Sequence, residues 1–472
     1  MSNDPLRIHL SLVSHTNIGK TTLARTLLSR DIGEVADRAH VTETTDDYVL
    51  ARNAEGCELV LWDTPGFGNS VALAKRLEGR ANPVGWFLSE VWDRMANKSL
   101  WLNQKALKHV KETSSVVLYL VNATELPDSA PYVSAEMRIL EWIGKPVIVL
   151  LNQIGQPKQP EAEQADVDRW KHAMAAYPIV SSVLPMDAFA RCWVQEFALF
   201  DAIAKALPEE QQSTLEALRE VWSRQRRAAY NSSIHALTHY LEKLANDREV
   251  AESSSVMDQL KFLGKRLGLF KNETVHDPLG AAQTALSARA ADEFCALTDK
   301  LIAVNGLKGK GVRKELLRRM QTDWKVTSSV PPAPAAVAGA IGTGAAGGLA
   351  SDIATGGLSL GLGTLIGTVV GALGCAGLAV AYNHKKGIEG TVVTWSDEAL
   401  NNFFVEASLL YLAVAHFGRG RGNWAESEYP EHWRTNIDAI LTDENITASE
   451  IAKYFDPIIR RVLSRLYPSA NF

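Results

Sequence analysis

The run Ser14-His15-Thr16-Asn17-Ile18-Gly19-Lys20-Thr21-Thr22 holds residue types able to grip a polyphosphate, since it contains Gly-Lys-Thr after a strand-like IHLSLV. A helix-like TLARTLL follows, completing the strand–loop–helix setting that a Walker A sequence requires. Main-chain N–H groups of such a loop attract an anion, because exposed amides and the helix N-terminus both carry positive partial charge. The expected nucleotide-binding set is Asn17, Ile18, Gly19, Lys20, Thr21 and Thr22. Lys20 brings a point charge to the β- and γ-phosphates, and the Thr21 hydroxyl is a Mg²⁺ ligand. Ser14 stands where the pattern has its first glycine, and His15 is expected to face solvent.

A second piece of phosphate chemistry ends the strand CELVLWD, where Asp63-Thr64-Pro65-Gly66 spells D-x-x-G. In a doubly wound sheet the C-terminal strand edge faces the ligand, so Asp63 can hold Mg²⁺ through water and the Gly66 N–H can sense a γ-phosphate. Between the two motifs lies DIGEVADRAHVTETTDD, polar and without an apolar period, which suits a switch ordered by a γ-phosphate. Thr45, or failing that Thr44 or Thr42, is expected to complete the Mg²⁺ shell.

Together SHTNIGKT, the threonine-rich segment and DTPGF resemble the Era/TrmE branch of the translation-factor-type GTPases, over about residues 7–200. The resemblance implies Mg²⁺-dependent hydrolysis of GTP to GDP and phosphate, with Lys20, Thr45, Gly66 and Asn17 acting on the phosphates. Asn17, three residues before Lys20, matches the asparagine that in TrmE-like enzymes helps hold K⁺ beside the phosphates. On that basis K⁺ would serve in place of an arginine finger. Phe67 follows Gly66 where Ras-type proteins carry a catalytic glutamine, leaving no obvious side chain to orient the attacking water. Acceleration is then expected from K⁺, a second G domain or an unknown protein partner. Phe67 reads equally well as a core residue.

The family's base-reading N-K-x-D becomes Asn152-Gln153-Ile154-Gly155 after the strand PVIVLLN. Asn152 can support the loop and touch the base, and the Gln153 stem can lie on its face. Gly155 has no carboxylate for the guanine N1 and N2 hydrogens, and losing a buried hydrogen-bond pair weakens discrimination strongly. Guanine specificity is therefore carried by the resemblance, with ATP as a competitor. Ser181 and Ser182 are loose candidates for the last motif, normally Ser-Ala-Lys. The segments PMDAFARCWVQE and YLAVAHFGRGRG resemble proteobacterial GTPases whose C-terminal half is known only as a domain of unknown function.

The elements that must position these residues follow from the rhythm of the text. IHLSLV, DYVLA, CELVLWD, SVVLYLVN, PVIVLLN and PIVSSVL alternate with helical stretches up to about residue 207. That order predicts an α/β P-loop NTPase fold, a doubly wound, mostly parallel sheet over residues 1–207. An α-helical region is expected over 208–330, a Gly-rich apolar helical hairpin over 331–384, and further helices over 385–472. Trp86, Trp92 and Trp101 are expected to pack on one long helix after the D-x-x-G.

A formal charge of -5 argues against a broad nucleic-acid-binding surface, and no nucleic acid partner is expected. Cys57, Cys192, Cys295 and Cys375 are far apart and form no zinc or disulfide spacing, which fits a reducing cytoplasm. The start of the chain runs straight into the first strand, leaving no room for a signal peptide.

From Ala333 to Asn383 only Asp352 carries a charge and thirteen residues are glycine. Each glycine costs a water-exposed helix roughly 1 kcal/mol relative to alanine, so an independent soluble helix is disfavoured. Gly363, Gly367 and Gly371 instead form consecutive G-x-x-x-G units that let helices approach closely. Two limbs, about Ala335–Ala350 and Leu358–Tyr382, are flanked by basic residues including Arg318, Arg319, Lys385 and Lys386. Membrane insertion or re-entry from the cytoplasmic side of the inner membrane is the leading expectation. A packed soluble hairpin and a flexible linker are its alternatives. Two functions follow: a membrane-associated GTPase switch, or a nucleotide-gated membrane scaffold that binds GTP or ATP and hardly hydrolyses it.

Overall fold

The computed structural model describes residues 5–29, 46–90, 98–154, 159–251, 278–309, 378–382, 391–418, 429–444, 450–468, 470 and 472. They divide into two compact units. The first comprises Met1–Tyr230 with Ala415–Asn423 and Leu463–Phe472, and the second Asn231–Val414 with Trp424–Val462.

All six strands expected before residue 207 form and make one sheet. They are β1 (Arg7–Ser14), β2 (Asp46–Arg52), β3 (Glu58–Asp63), β4 (Val116–Asn122), β5 (Val147–Asn152) and β6 (Val180–Pro185). Their order is β2-β3-β1-β4-β5-β6. Every neighbour pair is parallel except β2 with β3. β1 therefore lies between β3 and β4, at the point where the chain changes its winding direction and a ligand crevice opens beyond the strand ends.

Continuous apolar strands such as VVLYLV and VIVLL are covered on both faces, which is why they lack polar alternation. Because successive side chains point to opposite faces, Leu12 and Leu118 enter one core while Val13 and Tyr119 enter the other. The first core holds α1 (Lys20–Leu28), α7 (Gln195–Ala206) and the start of α8 (Glu209–Asn246) through Leu23, Phe200, Leu218 and Trp222. The second holds α2 (Ser70–Leu77), α4 (Lys98–Thr113), α5 (Pro131–Ile143) and α6 (Pro160–Met174) through Leu73, Leu107, Met137 and Trp170. Each fully buried large side chain stabilises the fold by about 1.5–3 kcal/mol, so the strand ends that carry the motifs rest on a rigid base.

Residues 188–191 and 416–418, far apart in sequence, meet within the first unit. Ala190 and Phe417 form an antiparallel bridge. Arg191 N donates to His416 O at 3.2 Å, and Gly418 N donates to Phe189 O at 3.1 Å. A Cβ on Gly418 would lie 2.1 Å from Ala188 O, so only glycine fits this approach.

In the second unit, β7 (Arg248–Ala251), β9 (Thr391–Trp395) and β8 (Leu378–Tyr382) form an antiparallel sheet in the order β7-β9-β8. This corrects the purely helical expectation for the chain beyond residue 207. It also corrects the second limb, because its last five residues are strand; the rest of 333–383 lies outside the described residues. The helix Asp397–Ala415 is buried nearly all round, including Phe403, Leu409 and Leu412, as a central helix must be. Buried Glu406 pairs with Arg434; burial pushes its carboxyl up while the guanidinium pulls it down.

The tryptophans do not share one helix. Trp86 lies on α3 (Pro83–Ser89) and Trp101 on α4, while Trp92 lies outside the described residues. Asn82 caps α3 by accepting from Gly85 N at 2.9 Å and Pro83 opens it, local signals for a separate short helix. Among the described residues no helix is long and apolar enough to cross a membrane.

Candidate nucleotide site

β1 ends at Ser14, and the chain turns through residues 15–19 into α1. Asn17 (φ 66°) and Gly19 (φ 97°) take left-handed backbone, the geometry of a tight loop that turns N–H groups inward. A Cβ on Gly19 would lie 2.8 Å from Asn152 Nδ2, so this glycine is required both by its φ and by a close neighbour.

Ser14 answers for its departure from the pattern. Its Oγ accepts from Lys20 Nζ at 3.1 Å and donates to His15 O at 2.6 Å, so the hydroxyl parks the ammonium inside the loop. Lys20 is buried, and desolvation pushes its pKa down against the pull of Asp63 and Glu136. Thr21 Oγ1 donates to Asp63 Oδ2 at 2.5 Å. Burial pushes the Asp63 carboxyl up, opposed by that hydroxyl and by Lys20.

Asp63 Oδ1 is buried and has no hydrogen-bond partner among the described residues. A buried acceptor left unsatisfied costs roughly 1–3 kcal/mol, and a carboxylate oxygen beside a threonine hydroxyl is hard-cation donor chemistry. Thr21 and Asp63 thus fit Mg²⁺, which would neutralise phosphate charge there. The register of β1 against β3, Leu12 beside Asp63, brings the two motifs level. Thr64 Oγ1 locks them by donating to Leu12 O at 2.6 Å.

Main-chain bonds hold the D-x-x-G turn against the P-loop: Phe67 N donates to Ser14 O at 2.9 Å and Thr16 N to Phe67 O at 3.2 Å. Asn103 on α4 pairs with both N and O of Gly68 at 3.0 and 2.8 Å. The Phe67 side chain is wholly buried in the second core, so its core reading is the one the structure bears out. A Cβ on Gly66 would stand 3.0 Å from Lys20 Nζ and from Thr16 Cα, which explains the glycine of the motif.

His15 departs from expectation. Its Nδ1 lies 2.9 Å from Glu136 Oε1, and its ring stacks on Tyr132 at 4.7 Å. Glu136 is fully buried on α5 and also accepts from Tyr119 OH at 2.8 Å. The signal was present as one acid inside the apolar face VSAEMRIL, but its target became visible only through β4 and the P-loop.

At the far end of the edge, Asn152 Nδ2 donates to Ile18 O at 2.6 Å and Asn152 Oδ1 accepts from Ala188 N at 2.8 Å. Asn152 thereby ties the P-loop to the loop that follows β6. Gln153 has φ 57°, and Gly155 lies outside the described residues. Ser181 and Ser182 are within β6, with Ser181 Oγ donating to Val147 O at 3.2 Å, so they are not in the last loop. That loop is Met186–Ala188, and sequence reasoning missed its acid: Asp187 accepts from Ile154 N at 2.7 Å and from Phe189 N at 2.8 Å.

The C-terminal end of α1 is held equally firmly. Arg191 Nη2 donates to Thr26 O at 3.0 Å, and Arg226 donates to Leu27 O at 2.8 Å and to Ser29 Oγ at 2.5 Å. Cations suit that end of a helix dipole, and Glu196 neutralises both arginines. Thr22 is buried, and its carbonyl accepts from Thr26 Oγ1 at 3.1 Å. Thr42, Thr44 and Thr45 lie outside the described residues.

Residues 9–153 match the family described as 50S ribosome-binding GTPase. This region is a P-loop GTPase domain. Residues 328–453 match a domain of unknown function, DUF3482, so the chain joins a GTPase domain to a C-terminal part of that kind, as the sequence resemblance implied. No curated protein matches the chain.

Among solved structures, the GTPase-bearing chain is similar to Era in complex with MgGDPNP and nucleotides 1506–1542 of 16S ribosomal RNA, at 15% identity and TM-score 0.33. That match covers 53% of this chain and 75% of the other. A single-residue variant of Aquifex aeolicus Era bound to GDP and AlF4⁻ is similar at 14% identity and TM-score 0.32, over 62% of this chain and 89% of the other. A probable GTP-binding protein, engB, is similar at 14% identity and TM-score 0.25, over 45% of this chain and 99% of that one.

Proposed function

We propose that the chain is a membrane-associated GTPase switch that hydrolyses GTP to GDP and phosphate with Mg²⁺, stimulated by K⁺. The observation that carries the reading is the cluster of buried Lys20, half-buried Thr21 and buried Asp63, whose Asp63 Oδ1 has no hydrogen-bond partner among the described residues. Main-chain amides and Lys20 would bind the β- and γ-phosphates, while Thr21 and Asp63 would hold Mg²⁺, which neutralises phosphate charge when bound. Gly66 N–H, held by the turn bonded to Ser14 and Thr16, would report a γ-phosphate.

Phe67 is turned into the core, and its side chain supports slow intrinsic hydrolysis. K⁺ beside Asn17, a second G domain or a protein partner would then raise the rate. Single-turnover hydrolysis by the full chain is expected to be faster in KCl than in NaCl, and Asn17→Ala to remove the difference. Equal rates in the two salts, or an unchanged KCl rate in the variant, overturn the K⁺ role. Hydrolysis absent under every condition favours the nucleotide-gated scaffold instead.

The membrane part of the proposal rests on residues 358–377, apolar and Gly-rich, which precede β8. They meet the length of roughly 20 residues that a spanning helix needs. Basic Lys385 and Lys386 would return the chain to the cytoplasmic side. Carbonate extraction of cells expressing the full chain is expected to leave it with membranes, and removal of 333–377 to release it. Full-length protein recovered wholly in the soluble fraction sinks this part of the reading and leaves the nucleotide chemistry untouched.

A further inference from the structure

Glu136 is wholly buried on α5, yet none of the phosphate chemistry uses it. A carboxyl taken from water into an apolar core is costly unless both oxygens find partners, and an apolar side chain would fill that place on the helix face VSAEMRIL without the cost. We propose that Glu136, acting through His15, is a positioning residue for GTP hydrolysis: the pair fixes the junction of P-loop and D-x-x-G turn, and with it the Gly66 N–H. The inference rests on the nucleotide reading of the P-loop and deepens it.

Both ends of the tie are defined. Glu136 Oε2 accepts from Tyr119 OH at 2.8 Å, and Tyr119 is buried on β4, a central strand. Glu136 Oε1 accepts from His15 Nδ1 at 2.9 Å, the Nδ1–H form of the ring being the one that an acceptor-only carboxylate selects. Tyr132, one helical turn before Glu136, stacks on the same imidazole at 4.7 Å. Its own hydroxyl donates to Glu125 Oε2 at 2.7 Å. The His15 side chain thus has a hydrogen bond at its edge and a ring against its face, which together set its orientation.

The main chain of His15 carries that placement to the turn. His15 forms a parallel bridge with Phe67. The residues on either side complete it: Phe67 N donates to Ser14 O at 2.9 Å and Thr16 N to Phe67 O at 3.2 Å. Phe67 follows Gly66 directly, so a shift of His15 is passed to the Gly66 N–H. With the Phe67 side chain in the core, no glutamine stands there to orient the water, and the rate leans on this main-chain donor. A donor misplaced by a fraction of an ångström loses transition-state stabilisation, while ground-state binding through Lys20 and the loop amides persists. A diphosphate has no γ-phosphate for Gly66 to meet, so its affinity does not depend on the pair.

The test compares two affinities of the full chain in MgCl2 and KCl, for mant-GDP alone and for mant-GDP with aluminium fluoride, which takes the place of the transferred phosphoryl group. His15→Ala, at a side chain 30% exposed, is expected to leave mant-GDP affinity within about twofold and to weaken fluoroaluminate capture about tenfold or more, with single-turnover hydrolysis falling by the same factor. Glu136→Leu is expected to do the same. Glu136→Gln, which keeps an acceptor for His15 and offers a donor to the Tyr119 oxygen, is expected to recover most of that loss. In His15→Ala/Glu136→Leu the loss is expected to equal that of His15→Ala alone, because the carboxyl acts only through the imidazole. Equal weakening of mant-GDP binding and fluoroaluminate capture marks a purely structural pair and overturns the proposal, as does a double variant in which the two losses multiply. Unchanged capture in His15→Ala overturns it without any Glu136 variant, should those fail to fold. Wild type that binds mant-GDP but captures no fluoroaluminate sinks the positioning role and leaves the P-loop reading intact. Wild type that binds no nucleotide sinks both.

Discussion

Replacing Lys20 and Thr21 together by alanine is expected to lower nucleotide affinity at least a hundredfold while the chain stays folded. Lys20 is buried with its ammonium on Ser14 Oγ and its pKa depressed by desolvation, an arrangement that costs stability in the free protein. That cost is recovered only when an anion enters. Hydrogen bonds to charged groups are worth about 1.5–3 kcal/mol each, and about 1.4 kcal/mol is tenfold in affinity. An ammonium on two phosphates together with a lost metal ligand therefore exceeds two decades.

The stability effect runs the other way for Lys20 alone, because alanine removes a buried charge. Asp63, losing Lys20 and the Thr21 hydroxyl, is left with burial as the largest influence on its carboxyl and moves further toward the neutral acid. Titration with mant-GDP in MgCl2, alongside thermal unfolding without nucleotide, separates binding from folding. Undiminished affinity in the double variant would mean that phosphate is held elsewhere.

The parts of this site that depend on chain-local spacing were legible in the sequence. Gly19-Lys20-Thr21 after an apolar strand, and Asp63 at the end of another, carry their geometry with them, since a strand end and a helix start fix where the side chains go. All six strands were readable for the same reason, their apolar runs being bounded by turns and helices. What failed was whatever depends on a distant partner. His15 was expected in solvent because its partner, Glu136, is supplied by α5, and Ser181 and Ser182 were matched by residue type although β6 continues through them to Pro185.

The second unit shows a different limit. β7 has four residues and β8 and β9 five each, too short to impose a period on the text. β8 is written in leucine, alanine, valine and tyrosine next to a glycine-rich run, so composition assigned it to the apolar limb. Its pairing with β9, Val380 beside Val393, decides the matter by main-chain bonds that no local pattern encodes.

Asn152→Ala is expected to destabilise the GTPase domain by about 2–6 kcal/mol, since it strands two buried main-chain groups at roughly 1–3 kcal/mol each. Those groups are Ile18 O, bonded at 2.6 Å, and Ala188 N, bonded at 2.8 Å, and the Asn152 side chain that joins them is fully buried. Asn152 holds the P-loop and the loop after β6 in register, so its removal should also weaken nucleotide binding. Asn152→Asp sharpens the point: an aspartate keeps the acceptor for Ala188 N but turns a carboxylate oxygen toward Ile18 O, replacing a donor by a repulsive acceptor. Unfolding in urea should therefore rank wild type above Asn152→Ala, and Asn152→Ala above Asn152→Asp. If alanine leaves the midpoint unchanged, the two loops are held by other contacts and the side chain is not their tie.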